Sequence, residues 1–200
     1  MMKRPVRPGT EQRKAVAGKG FALAATALLY VMVSGCSKAP DLKSLAQGPM
    51  TKLVVAEKPQ PGPPQTFTGP DGKAMTVADL KGQVVVLNFW ATWCGPCKEE
   101  MPSLAKLQKD YAEKGVKVVA VSVDRLEDAD KAKDFLRASG GLGFYNDPGY
   151  KVVFGLTPRP DGIPTTVIYG KDGLEKARLS GGADWSTDQA KKVMDAVLKG

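Results

Sequence analysis

Val84-Val85-Val86-Leu87-Asn88-Phe89-Trp90-Ala91-Thr92-Trp93-Cys94-Gly95-Pro96-Cys97-Lys98 joins an apolar run to two cysteines separated by two residues. A run that is apolar at nearly every position is expected of a central strand covered on both faces. Beyond it, Cys97 to Glu113 carries Met101, Leu104, Leu107 and Tyr111 at near-helical spacing. The cysteines therefore fall at a strand-to-helix junction. A helix start presents free N–H groups and the positive end of its dipole, and both favour a thiolate at Cys94 over a thiol. The thiolate is the form that attacks disulfides, so the junction implies disulfide exchange.

Cys94, at the helix start and nearer solvent, is the expected nucleophile. Cys97, one turn inside, is expected to resolve the mixed disulfide by attacking the Cys94 sulfur. Gly95 and Pro96 let the chain turn into the helix and fix its first turn. Half of a zinc site and a purely structural disulfide are the competing readings of the pair. A four-ligand zinc site needs two more Cys or His, and the chain has no histidine and one other cysteine, Cys36. The lack of histidine also removes Ser-His and Cys-His nucleophile chemistry. No metal or cofactor is expected.

Other residues near the pair carry specific expectations. Glu100 lies three residues after Cys97, so burial would raise its pKa and let it serve as a general base to Cys97; the alternative is a solvated helix glutamate, a part that suits Glu99. Pro102 is expected to kink the helix. Trp93 is expected beside Cys94, offering a flat apolar contact to substrate, while Trp90 suits the core. Gly162-Ile163-Pro164-Thr165 precedes a strand, and Pro164 is a candidate cis peptide. Asp124 and Asp147 read as turn and cap residues.

The 200 residues are 42% apolar, enough for one domain with its own core. The net charge of +8 is concentrated at the start: Lys3, Arg4, Arg7, Arg13, Lys14 and Lys19 face one acid, Glu11, in the first 35 residues. The remainder is only mildly basic and shows no basic run with interleaved aromatics, so no nucleic-acid partner is inferred. A basic segment, then the apolar Phe21 to Val33, then Val33-Ser34-Gly35-Cys36 has the order of a secretory signal. Thirteen residues are short for a bilayer span, which takes about 17 to 25. The last four resemble a bacterial lipobox, which implies lipidation at Cys36; an uncleaved anchor is the alternative. Either way the chain is expected to meet the membrane through its N-terminus. Residues 36–65, with Pro40, Pro49, Pro59, Pro61, Pro63 and Pro64, read as a Pro-rich tether, within which Leu53-Val54-Val55-Ala56 suggests a short strand or docking contact. The domain is expected over 66–200.

Within it, Gly69-Pro70-Asp71-Gly72 marks a hairpin between Phe67 and Ala74-Met75. Thr76 to Leu80 suits one helical turn. Gly115 closes the Cys-pair helix. Val116 to Val123 reads as a second buried strand and Asp128 to Ala138 as a second helix. A short helix is expected over 148–156, then strands over Thr165 to Tyr169 and Leu174 to Leu179. The last helix, Thr187 to Lys199, turns Ala190, Val193, Val197 and Leu198 inward and is capped by Thr187 or Ser186. This order predicts an α/β fold: a central mixed sheet flanked by helices and preceded by an N-terminal hairpin.

With Phe89 to Pro102, Val119-Ala120-Val121-Ser122-Val123-Asp124, Gly162-Ile163-Pro164-Thr165-Thr166 and Gly181-Gly182-Ala183-Asp184-Trp185, the chain resembles the TlpA-like branch of thioredoxins over residues 46–199. That resemblance implies a thioredoxin-like fold and a membrane-tethered, exported thiol–disulfide oxidoreductase on the periplasmic side. It implies that the loop at Ile163 and Pro164 faces the Cys pair and binds the substrate backbone. It also implies reduction of partner disulfides, with apocytochrome c and copper-site assembly proteins of cytochrome oxidase as substrates, and recharging by a membrane thiol-reductant donor. Asn88 departs from thioredoxin, which has a buried aspartate there; relatives of this branch place a glutamate where Glu100 stands. The Pro-rich segment 156–161 is longer than usual. Gly-Pro between the cysteines is the thioredoxin dipeptide, and thioredoxin is reducing at about −270 mV. Two other classes compete. A copper-binding assembly factor could hold Cu(I) on two thiolates, but the thioredoxin-like members use a wider Cys spacing and a histidine. A thiol peroxidase would need a lone peroxidatic cysteine.

Overall fold

The computed structural model describes residues 41–200. The expected signal segment, residues 1–35, and the lipidation site Cys36 lie outside the described residues.

The strand expected from the opening run is β4, and it occupies the middle of an eight-stranded sheet. In chain order the strands are β1 (Leu53–Val55), β2 (Phe67–Thr68), β3 (Ala74–Met75), β4 (Val84–Trp90), β5 (Val116–Ser122), β6 (Tyr145–Asn146), β7 (Thr165–Tyr169) and β8 (Glu175–Ser180). The helices are α1 (Leu42–Leu45), α2 (Gly95–Tyr111), α3 (Ala129–Ala138), α4 (Lys151–Gly155) and α5 (Asp188–Lys199). The spatial order is β1-β8-β7-β4-β5-β6-β2-β3. β4 pairs in parallel with β5, and β5 with β6; the other pairings are antiparallel. The fold is therefore thioredoxin-like α/β, a mixed central sheet flanked by helices.

Every residue of β4 is buried, as an apolar run broken only by Asn88 requires, and β5 and β7 flank it with Val118, Val119, Val121, Val167 and Ile168 in the core. α2 buries Met101, Leu104, Leu107 and Tyr111, the spacing that predicted it. It runs through Pro102 and stops before Gly115, whose φ of +82° suits a residue without a Cβ. Between α3 and β6, Gly140 approaches α2 so closely that a Cβ there would lie 2.6 Å from Ala105 Cβ. The hairpin at Gly69–Gly72 forms, with Phe67 opposite Met75, and Thr68 pairs with Asn146 to join it to the main sheet. Thr76 caps the turn Val77–Leu80 through a reciprocal bond with Asp79. Asp147 receives the first N–H groups of α4 from Lys151 and Val152, the cap role expected of it. Thr187 caps α5, whose buried face is Ala190, Val193, Met194 and Val197; Leu198 is only half-buried.

The tether expectation for 36–65 is corrected from residue 42 onward. Leu45, Met50 and Leu53 are buried, and β1 pairs with β8 through Leu53–Leu179 and Val55–Ala177. Gln189 donates to the Leu45 carbonyl, so α1 is fastened to α5. Leu45, Met50 and Leu53 anchor the segment by burying their side chains, while Val54 stays exposed; Pro49 lies within the turn Gly48–Met50 and Pro61 pairs with Leu174. Of Leu53-Val54-Val55-Ala56, expected as a short strand or docking contact, Leu53 to Val55 forms a strand, and its neighbours dock with it. Among the described residues, no helix is long and apolar enough to cross a membrane.

Candidate active site

β4 delivers the chain to the site. After Trp90 it leaves the sheet, and Cys94 takes the N-cap position of α2 in extended backbone conformation. Cys94 Sγ accepts from the Cys97 backbone N–H at 3.3 Å, in the manner of a capping side chain. A thiolate in this position gains both the free N–H groups and the dipole of a 17-residue helix. The two cysteines form a disulfide, Cα to Cα 5.3 Å. Cys97 is wholly buried, and Cys94 has 6% of its surface exposed. The outer and inner sulfurs are thus placed as expected, with only Cys94 open to attack from outside. Gly95 and Pro96 are exposed beside it.

The loop before β7 closes over the pair. Ile163–Pro164 is a cis peptide, as expected, and the Ile163 carbonyl oxygen lies 3.9 Å from Cys94 Sγ. Pro164 is buried and Ile163 half-buried. A second cis bond, Thr157–Pro158, was not anticipated. The long Pro-rich segment before it is fixed from below: Arg178 grips Glu175 through two nitrogens, at 3.0 and 2.8 Å, and donates a third bond to the Pro158 carbonyl. Arg159 lies 3.7 Å over the Phe154 ring, which stacks on Tyr150. Trp93 stands 63% exposed next to Cys94, whereas Trp90 is fully buried against Phe135.

Glu100 is not a solvated helix residue. It is 97% buried, on the wall of a groove shared with Pro96, Ser103, Ile163, Pro164 and Gly182. Its Oε1 accepts from Asn88 Nδ2 at 2.7 Å; its Oε2 accepts from the Ala183 N–H at 3.1 Å and Trp185 Nε1 at 3.3 Å. Burial disfavours the charged form and outweighs these three bonds, so the carboxyl is pushed up to about 7. Its neighbour Glu99 is exposed. Ser103 ties the same loop to α2, accepting from the Trp185 N–H and donating to the Glu100 carbonyl.

Sequence reasoning did not assign Thr166, Ser103 and Trp185 to this site, and it marked Asn88 only as standing where thioredoxin has a buried aspartate. The signal for Asn88 was present: one amide inside an apolar strand demands a buried polar partner. Trp185 gave no such signal, because its contact with Glu100 spans 85 positions of chain. Asp124 is a turn residue, as expected, and supports the Cys loop: it accepts from the Thr92 N–H, the Thr92 hydroxyl and the Ser122 hydroxyl. Among the described residues, no group of three or more Cys, Asp or Glu is placed to hold a metal ion.

A helix-capping, solvent-facing sulfur bonded to a buried one, within a thioredoxin-like fold, defines a thiol–disulfide oxidoreductase, and the chain is an enzyme of that class. The AhpC/TSA family model matches residues 60–174, and the chain belongs to that family. Over 160 residues it is 33% identical to the thiol-disulfide oxidoreductase ResA of Bacillus thuringiensis subsp. konkukian, covering 78% of this chain and 85% of that one. With ResA of Bacillus anthracis the identity is 36% over 133 residues, 64% of this chain and 69% of the relative. A crystal structure of a DsbE-type thiol:disulfide interchange protein from Chlorobium tepidum superposes with a TM-score of 0.60 at 29% identity, covering 71% of this chain and 98% of that one.

Proposed function

We propose that this chain is an exported, membrane-tethered reductase of the TlpA type, which opens disulfides in partner proteins by dithiol exchange at Cys94 and Cys97. The observation that carries the reading is the disulfide at the start of α2 with the buried Glu100 one turn on. The reduced enzyme attacks a partner disulfide with the Cys94 thiolate. One partner sulfur leaves as a thiolate and a mixed disulfide forms. Cys97 then gives its proton to the Glu100 carboxylate and its sulfur attacks Cys94 Sγ. The Cys94–Cys97 bond forms, and the second partner sulfur departs with the electron pair. The partner gains two electrons and the enzyme loses two. A carboxyl near 7 suits this task, because it takes up and releases a proton close to working pH.

Trp93, Gly95, Pro96, Ile163 and Pro164 form the surface a partner chain meets, since they surround the only sulfur of the pair that solvent reaches. The pair is recharged by a membrane thiol-reductant donor. The signal-like order of residues 1–36 and the resemblance to TlpA-like thioredoxins support a role outside the cytoplasm, with apocytochrome c or a copper-site assembly protein as substrate. Lipidation at Cys36 supplies the tether in this reading; a globomycin-sensitive change in gel mobility tests it, and a mature protein that retains residues 1–35 overturns it.

The central test is trapping. Cys97→Ser, expressed in the source cell, should hold partners as mixed disulfides through Cys94, and their identity separates cytochrome c maturation from oxidase assembly. Wild-type protein, once reduced, should reduce insulin. Failure to do so with both thiols intact ends the reading, and a potential close to about −120 mV, that of a strong oxidant, reverses its direction.

A further inference from the structure

Asn88 is wholly buried in the centre of β4, and its side chain is only half used. Nδ2 donates to Glu100 Oε1 at 2.7 Å and to Thr166 Oγ1 at 2.9 Å. Oδ1 is buried with no hydrogen-bond partner among the described residues. Leaving a buried carbonyl oxygen unpaired is unfavourable, so the site retains an acceptor that this arrangement does not use. Thr166 is used on one side only: its hydroxyl oxygen accepts from Asn88, and its proton meets no acceptor among the hydrogen bonds that the structure shows.

Both loose ends face the same event. While Glu100 is a carboxylate, it has no proton to give and needs donors, and Asn88 Nδ2 is one. Once Glu100 holds a proton, an O–H replaces that acceptor at 2.7 Å, and N–H facing O–H leaves one hydrogen without a lone pair. Rotating the carboxamide by half a turn exchanges oxygen for nitrogen at nearly the same points in space. Oδ1 then accepts from the Glu100 O–H and from the Thr166 hydroxyl. The other Glu100 oxygen keeps its bonds from the Ala183 N–H and Trp185 Nε1.

We propose that Asn88 is a positioning residue that reverses its side-chain amide whenever Glu100 gains or loses its proton, donating to the carboxylate and accepting from the carboxylic acid. This rests on the proton role of Glu100 proposed above and adds the group that meets Glu100 with a donor in one state and an acceptor in the other, Nδ2 then taking the place that Oδ1 had. The step is balanced within the enzyme: the proton leaves Cys97 as its sulfur attacks Cys94, arrives on Glu100, and returns to solvent along the groove that Glu100 lines. A thioredoxin-type aspartate at position 88 could not serve in this way, because two carboxyls 2.7 Å apart would compete for one proton. The charged and titratable groups around the pocket are few. α2 contributes Cys97, Glu99 and Lys106; the loop after β8 contributes Asp184, whose carboxylate is turned to the Ser186 N–H and hydroxyl; Lys52 stands on the groove rim; β4 and β7 contribute only Asn88 and Thr166 at this level.

The test is a pH titration of the folded oxidised protein by NMR, following the Glu100 carboxyl carbon and the Asn88 side-chain amide signals together. The Asn88 signals should shift with the same midpoint as Glu100. In Glu100→Gln, whose amide donates as the acid does, they should hold the low-pH position of the wild type at every pH. A Glu100 carbon that titrates while the Asn88 signals stay fixed overturns this inference and leaves the proton role of Glu100 standing. A Glu100 carbon that does not titrate between pH 5 and 9 removes that role and this inference with it. The wild-type titration decides the matter alone if the variant fails to fold.

Discussion

Two carboxylates are buried on either side of the Cys loop, and they are used in opposite ways. Asp124 follows β5 and has both oxygens occupied by close neighbours: the Thr92 N–H and hydroxyl and the Ser122 hydroxyl. Thr92 lies two residues before Cys94, so these bonds fix where the loop leaves the sheet. Asn146 locks the same corner by donating to the Ser122 and Asp124 carbonyls. Glu100 is buried as deeply, but its donors come from β4 and from the distant 183–185 loop, and it lines a groove. Burial alone therefore does not make a carboxylate reactive. The first is held by its own corner of the chain as a strut; the second is reached from separate elements and pushed into a range where it changes charge.

The comparison can be broken first on the structural side. Asp124→Ala leaves three donors unpaired around the Cys loop and should cost about 4 kcal/mol, measured by chemical denaturation. Its residual activity should keep the wild-type pH profile, because the proton-holding group is elsewhere. Next, Glu100 should make stability fall as pH rises. Its folded pKa is raised, so the stabilisation from keeping a proton is complete below about 4.5 and is lost as pH climbs through about 7, by about 3 kcal/mol in total. Denaturation midpoints across pH 4 to 8 check this, and Glu100→Gln should flatten the dependence while slowing the resolving step about 100-fold. Trp185→Phe removes one donor from Glu100 Oε2. It should cost about 1 kcal/mol and move the Glu100 midpoint further up, since the charged form loses a bond. The smallest effect is expected at Trp93→Ala: stability within about 0.5 kcal/mol of wild type, because the ring is mostly exposed, but a higher KM for a protein disulfide with little change for a small one.

Much of the fold was legible because its signals are local. The nearly continuous apolar run gave β4, the period of Met101, Leu104, Leu107 and Tyr111 gave α2, and the turn residues at 69–72 gave the hairpin. The Cys pair and the cis bond at Pro164 were legible for the same reason. The sequence did not disclose what depends on distant partners. The two-residue strand β6 is held by its register with Val121 and Ser122, not by a pattern of its own. The docking of 42–55 hid behind the prolines of the wider 36–65 segment. Glu100 was recognised from its spacing to Cys97, but the donors that set its environment sit 12, 83 and 85 positions away, and the motif Gly181 to Trp185 carried no sign that it meets Glu100.

The sheet closes with very short rungs: three residues of β1 at one border and two of β3 at the other. A border so brief offers too few free N–H and C=O groups in a row for a foreign chain to zip onto it. An enzyme that exchanges disulfides with other proteins is thereby kept from knitting them into its own sheet. Clients are left to bind through sulfur and a few side chains, and so can leave.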